Sequence, residues 1–457
     1  MGVDQASQIA ALQTENAALR EQIASLEEKV LLLMQRLEGK AVKKDSHNSH
    51  NPPSQDKGSK KSRSLRGKSS RKSGGQPGHP GRTLEMVAVA DVIEALQSSY
   101  CQVCGSALPE QQSVISVRQV VDIPPVQPVY TEYRQMGCAC PACAHFQQAS
   151  YPEQVKAPIQ YGGSVEALVA YLSVYQYLPY HRLCALLKDA FGLSMSEGSV
   201  YNLLERAARK ASPVYETIQQ EIQQAAYVGS DETGAKVNGQ SWWVWCWQNA
   251  NNTFLKASAC RGSQTIEETF PLGLPKATIG SDRWAAQLKT TAKAKQLCLA
   301  HLQRDLIYLQ EKEQHPFATQ CQHLFQETLQ LGKQAQERAK AWSREEQQVQ
   351  QVEDQLNGLL IQTIDGEQHP ETLTFQKSMI KHRDALLVFL YDLEVPPDNN
   401  GSERAIRNVK VKQKVSGQFK TAQHTFCILR SVIDTLKKRD LDIFAHLAQI
   451  MVTPAPT

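Results

Sequence analysis

The stretch Ala225-Ala226-Tyr227-Val228-Gly229-Ser230-Asp231-Glu232-Thr233 decides the fold that the sequence predicts. It is a short apolar run that leads into an acid, Asp231, and its composition is typical of a β-strand. Two further strand-like runs follow at residues 242–247 and 253–257, and turn-rich residues separate them. The stretch is therefore the first of three consecutive strands, and it carries an acid.

A fourth strand carries a second acid. A helical pattern over residues 263–270 precedes the apolar run 277–280, which ends at Asp282. Helical residues follow, then a strand-like run at 296–299 and another helix. Three strands, a helix, a strand with the second acid, and then alternating helix and strand is the order of a ribonuclease H-like α/β fold. We predict that fold.

A third acid lies in Asp398-Asn399-Asn400-Gly401-Ser402-Glu403-Arg404, at the start of a predicted helix. Only basic residues are charged in the turns that follow Glu403: Arg404, Arg407, Lys410, Lys412, Lys414 and Lys420. An acid that holds metal beside bases that hold phosphate suits the cutting of a phosphodiester. The alternative is a capping box, in which Glu403 only satisfies backbone donors near Asn400.

The predicted fold favours the metal-binding role of Glu403 over the capping role. In a ribonuclease H-like domain the first acid lies on the first strand, the second at the end of the fourth, and the third on a later helix. The predicted triad is therefore Asp231, Asp282 and Glu403. Carboxylates are hard oxygen ligands, so we expect two Mg²⁺ or Mn²⁺ ions at the catalytic site. Asp398, which precedes the helix, and Glu232, which faces away from Asp231, are weaker candidates.

The same residues resemble the transposases of the insertion-sequence-66 family, whose core is of the Asp-Asp-Glu type. Matching motifs cover nearly the whole chain: Asn51–Ser54, Gly74–Gly81, Tyr177–Arg182, Asp231–Thr233, Asp282, Cys298–Arg304, Lys381–Leu387, Val395–Arg407 and Ser416-Gly417. The resemblance implies a protein that binds the ends of an insertion sequence, nicks them, and joins the freed 3′-hydroxyls to target DNA. His301, Arg404 and Arg407 are candidate auxiliary residues. A nuclease or resolvase that does not join strands, and an inactive DNA-binding relic, remain alternatives.

Four cysteines form two Cys-x-x-Cys pairs: Cys101, Cys104, Cys140 and Cys143. Four thiolates suit a closed structural Zn²⁺ site without an open position for catalysis. Cys138 competes with Cys140 for a place in this set, and free cysteines are the alternative to zinc. The resemblance also implies a zinc-binding module here. Eleven cysteines in a chain without an export signal or an apolar run of membrane length indicate a cytoplasmic, nucleoid-associated protein rather than a membrane protein.

The N-terminus has a heptad pattern. Leucine recurs every seven residues at Leu12, Leu19, Leu26 and Leu33, and the other core position carries Ile9, Asn16, Ile23, Val30 and Leu37. β-Branched residues at one core position, leucine at the other and one buried Asn favour a parallel two-stranded coiled coil. We predict a homodimer through this zipper, or a surface for an accessory protein of the same element. The alternative is a helix that lies on the chain's own core.

DNA contacts are predicted at three places. Residues 40–72 hold eleven Lys or Arg against two Asp, although the net charge of the whole chain is only +4. We expect phosphate contacts there and on the basic helix after Glu403, and groove contacts on the second helix of a helix-turn-helix-like pair, residues 199–208. The candidates are Lys60, Lys61, Arg63, Arg66, Tyr201, Asn202, Arg206, Lys410, Lys412 and Lys414. A solubilising linker and a purely structural helical pair are the alternatives.

The predicted organisation is an α/β multidomain chain. The four tryptophans at residues 242–247 could stack on bases, but the strand pattern favours core positions. The segments are a leucine-zipper coiled coil (1–39), a basic disordered linker (40–83), a zinc-binding module (84–155), a helical helix-turn-helix-like region (156–224), a ribonuclease H-like catalytic domain (225–415) with a helical insertion at about 313–380, and a C-terminal helical tail (416–457).

Overall fold

The computed structural model describes residues 16, 18–30, 44, 48–49, 83–420 and 423–452. Most of the predicted zipper, including Leu12 and Leu33, lies outside the described residues. The same is true of the basic linker with its candidate DNA contacts Lys60, Lys61, Arg63 and Arg66. Within the described part, the predicted mixed α/β class is confirmed.

The N-terminal elements are small and exposed. Residues 18–30 form a helix, α1, whose apolar side chains Leu19, Ile23, Leu26 and Val30 are all exposed. The described part of α1 therefore does not lie on the chain's own core. A short antiparallel hairpin follows, with strands β1 (Gly137–Ala139) and β2 (Phe146–Gln148).

Three helices precede the main sheet: α2 (Gly163–Ala170), α3 (Tyr180–Phe191) and α4 (Glu197–Gln224), with a π-helical turn, Tyr171–Tyr175, after α2. Helix α3 ends at Gly192, whose left-handed φ of +64° suits glycine. Helix α4 begins at Ser196, whose hydroxyl accepts a bond from the Ser199 N–H. It is longer than the predicted residues 199–208, because its apolar stripe continues to the buried Ile218 and Ile222.

The central sheet has five strands: β3 (Tyr227–Val237), β4 (Gln240–Gln248), β5 (Thr253–Ser258), β6 (Leu274–Ser281) and β7 (Ala292–Leu297). Their order is β5-β4-β3-β6-β7. Strands β3, β4 and β5 pair antiparallel, whereas β6 pairs parallel to both β3 and β7. Helix α5 (Ser263–Thr269) connects β5 to β6, and α6 (Ala285–Lys289) connects β6 to β7.

Helix α7 (Leu299–Glu313) begins at the last residue of the predicted fifth strand, 296–299, because Cys298 is its N-cap. Four helices follow: α8 (Pro316–Glu337), α9 (Gln347–Leu360), α10 (Pro370–Lys381) and α11 (Val388–Tyr391). Together with α7 they enclose a core of their own. The predicted helical insertion, about 313–380, falls within this part of the chain, which extends beyond it at both ends.

The last three helices return to the sheet: α12 (Asn400–Ser416), α13 (Gln423–Lys438) and α14 (Ile443–Val452). Helix α12 packs on β3 and β4, and α13 packs on β5 and α4. Trp245 and Trp247 are fully buried in the core that these elements share, as the strand pattern predicts. None of the described helices contains an apolar stretch long enough to cross a membrane.

Candidate active site

Asp231 and Asp282 lie side by side where β6 ends. The prediction that the first strand ends at Asp231 is wrong, because β3 continues to Val237 in its pairing with β4. The parallel pairing of β3 with β6 aligns Gly229 with Gly280, and each acid comes two residues later. The Asp282 carboxylate accepts a hydrogen bond from the Trp284 N–H at 2.9 Å. The Asp231 carboxylate accepts one from the Glu232 N–H at 2.8 Å. Adjacent parallel strands thus bring the two predicted acids together.

The carboxylates repel one another electrostatically. Burial raises the pKa of Asp231 well above its usual range, and the negative charges of Asp282, Glu232 and Glu403 raise it further. The Glu232 backbone N–H opposes these effects only in part. Crowded, desolvated carboxylates favour either a proton or a bound cation.

Glu403 lies on the first turn of α12, near enough to Asp231 for its charge to act on that carboxyl group. Its Oε1 lies 3.4 Å from His301 Nε2 and 3.7 Å from Arg304 Nη1. This oxygen is buried, and among the described residues it has no hydrogen-bond partner. The two basic groups lie at ion-pair distance without donating a hydrogen bond, so this oxygen keeps a lone pair that could bind a cation.

The capping-box alternative for Glu403 does not describe the structure. Helix α12 takes Asn399 as its N-cap, and the Asn400 N–H donates to Asp398 Oδ1 at 3.0 Å rather than to Glu403. The Glu403 side chain therefore satisfies no backbone donor at the helix end. Asp398, the weaker ligand candidate, instead holds the entry into the helix.

A buried polar network joins α12 to the strand that carries Asp231. Asn399 Nδ2 donates to the carbonyl oxygen of Ser230 at 2.7 Å, and the Ser402 hydroxyl donates to Asn399 Oδ1 at 2.7 Å. Gln248 on β4 donates to the Ser402 hydroxyl at 3.4 Å, and the Asn399 N–H donates to Cys298 Sγ at 3.2 Å. Asn399 and Ser402 are fully buried. This network fixes the position of Glu403 relative to Asp231, and local sequence patterns give no signal of it.

Gly229 makes room for this network. A Cβ on Gly229 would lie 2.6 Å from Gln248 Nε2, 2.7 Å from Asn399 Oδ1 and 2.8 Å from Ser402 Oγ. These separations are far below van der Waals contact. Only glycine allows the three polar side chains to approach β3 so closely.

Glu232 lies on the face of β3 opposite to Asp231. The pairing with β4 places Asp231 across from Cys246 and Glu232 across from Trp245, and successive residues of a strand alternate between faces. The Glu232 side chain is only 2% exposed and accepts bonds from Arg261 at 2.9 Å and Gln287 at 2.8 Å. Burial and the charge of Asp282 raise its pKa to about 7, although Arg261 opposes the shift.

The three predicted acids do not yet form a compact ligand set. Within the described residues, no three His, Cys, Asp or Glu side chains are grouped so that they could hold a metal ion as they lie. Asp231 and Asp282 are neighbours, whereas Glu403 turns towards His301 and Arg304. The donor chemistry nevertheless fits a hard divalent cation, because all three side chains offer carboxylate oxygens and one of these oxygens lacks a donor.

Some of the predicted DNA-binding residues are exposed, and others contact the rest of the chain. Arg404, Arg407 and Lys414 are exposed on α12, and Asn202 is exposed on α4. Lys410 donates to the Gly234 carbonyl at 2.6 Å, and Lys412 lies 5.7 Å from the centre of the Tyr180 ring.

Two of the predicted groove contacts are less accessible. Tyr201 is half-buried, and Arg206 forms an ion pair with the buried Glu166. Arg206 therefore has a structural partner within the helical region.

The cysteine pairs occupy two loops of the same shape. In the first, the Gly105 N–H donates to the Cys101 carbonyl at 2.9 Å; in the second, the Ala144 N–H donates to the Cys140 carbonyl at 2.8 Å. Gly105 and Ala144 share a left-handed φ, +73° and +58°. Cys138 lies on β1 instead, outside this loop. The loop geometry therefore matches Cys140, and not Cys138, to Cys101.

The chemistry of these thiols suits a metal, although their arrangement is open. Hydrogen bonds with Ser106 lower the pKa of the Cys104 thiol to about 7, and backbone N–H groups lower that of Cys140. All cysteines of the described residues are free of disulfides. The two loops are not brought together into a four-thiol group there.

Comparison with known families identifies the class of protein. Residues 158–425, more than half of the chain and including all three acids, match a family of transposases, which are DNA-processing enzymes. The family is the transposase IS66 family, and the chain belongs to it. The resemblance seen in the sequence is thereby confirmed, and the family implies DNA as a partner. Residues 3–85 match a family of unknown function, DUF6444. The search of curated proteins gave no match.

Proposed function

We propose that this transposase binds the ends of its insertion sequence, cleaves phosphodiester bonds there and joins the 3′-hydroxyl ends to target DNA. Asp231, Asp282 and Glu403 would be its catalytic residues. One observation carries the proposal: two acids lie in register on neighbouring parallel strands, Asp231 within β3 and Asp282 just after β6, and a third, whose buried Oε1 accepts no hydrogen bond, lies on the first turn of α12.

The sheet supports a ribonuclease H-like assignment. Three antiparallel strands are followed by two parallel ones, and the first strand lies at the centre of the order β5-β4-β3-β6-β7. The acids then fall on the first strand, after the fourth strand and on a later helix. This is the arrangement that the sequence predicts for the fold.

The three carboxylates would hold two Mg²⁺ or Mn²⁺ ions. Bound there, the ions would supply Lewis-acid activation of the attacking oxygen and stabilisation of the leaving oxygen. The protein's own residues have separate tasks. His301 and Arg304 lie at ion-pair distance from the Glu403 carboxylate, the Asn399 network fixes its helix, and the exposed Arg404 and Arg407 would offer charge to the DNA backbone.

A joining assay tests this function against the nuclease alternative. The full chain, Mg²⁺ and a mini-element with the natural ends should give both cleaved ends and products joined to a target plasmid. Chelation should abolish both products. Cleaved ends without any joined product would show a nuclease or resolvase, and DNA binding without cleavage would show an inactive relic.

We also propose a homodimer through the N-terminal helix. The exposed apolar stripe of α1 supports this, because Leu19, Ile23, Leu26 and Val30 are about half exposed in the single chain. Replacing Leu19 and Leu26 with Pro should convert the dimer to a monomer in light scattering, since Pro breaks the helix. A dimer mass that survives this double change would assign dimerisation to another surface, and leave the stripe for an accessory protein.

A structural Zn²⁺ on Cys101, Cys104, Cys140 and Cys143 completes the proposal. The two matching loops and the lowered thiol pKa values support it. Zinc there would fold the module and would take no part in cutting DNA.

A further inference from the structure

Arg261 is held between the rings of Trp243 and Trp284, and Trp284 in turn bonds to Asp282. Its guanidinium carbon lies 4.5 Å from the centre of the Trp243 ring and 3.8 Å from that of Trp284. Its Nε and Nη2 both donate to Glu232 Oε1, at 3.0 and 2.9 Å. The Arg261 side chain is nevertheless 41% exposed, whereas Glu232 is 2% exposed. The result is a planar cation with a fixed orientation and an open edge.

Arg261 lies on the face of the sheet that carries Glu232 and Trp243, opposite to Asp231, and Trp284 connects it to Asp282. Arg261 follows the end of β5, which runs antiparallel to β4, as β3 does. Strands β5, β3 and β6 therefore point towards the same edge. Trp284 forms the direct link, because its backbone N–H donates to Asp282 Oδ1 at 2.9 Å and its indole N–H to the Arg261 carbonyl at 3.4 Å.

The guanidinium retains donors for a ligand. Both bonds to Glu232 end on a single carboxylate oxygen, and among the described contacts none uses Nη1. A guanidinium offers five N–H donors in a rigid fork that matches the oxygens of a phosphate. Stacking on the two aromatic faces also restrains the position of the cation.

We propose that Arg261 binds a backbone phosphate of the DNA beside Asp282, with Glu232, Trp243 and Trp284 as its positioning residues. The guanidinium covers one face of each ring, so these two tryptophans orient a cation rather than stack on a base. The inference rests on the proposed function only for the place of the DNA, since DNA as a partner follows from the family.

Salt-dependent DNA binding tests the proposal without any cleavage. The full chain carrying Asp231→Asn is titrated with a duplex bearing the element's ends at several salt concentrations. Arg261→Gln should weaken binding about tenfold and should reduce the slope of log affinity against log salt by about 0.9, the value for one lost phosphate contact. Arg261→Lys, which keeps the charge, should preserve most of the slope.

Arg338 provides a matched control. It stacks on Trp342 at 3.6 Å and pairs with Glu346 at 3.3 Å, but it lies in the connection between α8 and α9. Arg338→Gln should leave affinity and slope unchanged. Glu232→Gln, which leaves the guanidinium charged, should also preserve the slope.

Each outcome decides the matter. A slope for Arg261→Gln equal to that of the parent and of Arg338→Gln overturns the proposal. If Arg261→Gln does not fold, as thermal unfolding would show, a methylphosphonate scan of the duplex with the parent and Arg261→Lys replaces it. If no neutralised phosphate weakens DNA binding by the parent more than it weakens binding by Arg261→Lys, the proposal is overturned. Failure of the joining assay leaves this binding result intact, so the two proposals fail separately.

Discussion

At the scale of single residues, the acids could be predicted and the residues that position them could not. Asp231 and Asp282 follow apolar runs, and an acid directly after such a run is a local pattern. Asn399 instead acts through a bond to the carbonyl of Ser230, 169 positions away in the chain. Arg261 likewise acquires its environment from rings on β4 and after β6. Contacts of that kind arise only from the fold.

Gly229→Ala should damage the site through the Asn399 network. The added Cβ would lie within 2.6–2.8 Å of three buried polar atoms, so the network must shift. We expect a loss of about 1–3 kcal/mol in the free energy of unfolding, and a lower rate of DNA cleavage because Glu403 moves with α12. Chemical denaturation and a cleavage assay measure the two effects.

Gly358→Ala is the matched control, because a Cβ there meets nothing within 4 Å and the residue lies inside α9. It should leave activity unchanged and stabilise the protein by roughly 0.5–1 kcal/mol through helix propensity. Equal activity of the two variants would show that the close approach at Gly229 is not needed for catalysis.

Glu232 should make the metal-free protein less stable as the pH rises. Its pKa is raised from 4.5 to about 7 in the folded state, chiefly by burial and by Asp282. A raised pKa in the folded state means that its stabilising contribution is complete below about pH 4.5 and is lost as the pH rises through about 7. In chelator, Glu232→Gln should therefore flatten the decline of melting temperature across this window. An unchanged decline would assign it to other groups.

At the scale of elements, the sequence predicts strands better than helix ends. The first four strands of the sheet overlap the predicted apolar runs, but the fifth, predicted at 296–299, runs from Ala292 to Leu297. It begins earlier, in an alternating stretch of Ala and Lys, and it ends earlier because Cys298 already caps α7. Helix α4 continues through Pro213, which local rules disfavour. Burial of Ile218 and Ile222 outweighs that cost. Tertiary packing thus sets element lengths that local preference leaves open.

The cysteine loops separate the two candidates for the fourth zinc ligand. Cys140 begins a loop like that of Cys101. Cys138 instead lies on β1, where it pairs with Gln147 of β2. Purified protein should contain about one Zn²⁺ per chain, as one four-thiolate site requires. Cys140→Ser should lose this zinc, and Cys138→Ser should retain it. Elemental analysis showing the reverse pattern would exchange their roles.

At the scale of the whole molecule, the sheet positions Asp231 and Asp282, and the helices that pack on it position Glu403. Helices α12 and α13 return to the sheet after a helical unit with its own core, and this return brings Glu403 to Asp231 and Asp282. The order of the three acids along the chain could be predicted from the sequence. Their joint use in metal-dependent DNA joining is the central claim of the account.

The most direct test substitutes Glu403 with Gln and follows Mg²⁺-dependent cleavage, DNA binding and thermal unfolding together. Gln keeps the size of the side chain but removes the charge that would hold a cation. The account predicts loss of cleavage and joining, with melting temperature and DNA affinity close to those of the parent, because most binding rests on phosphate contacts elsewhere. Cleavage at the parental rate in Glu403→Gln would contradict the triad and direct attention to Asp398 or Glu232.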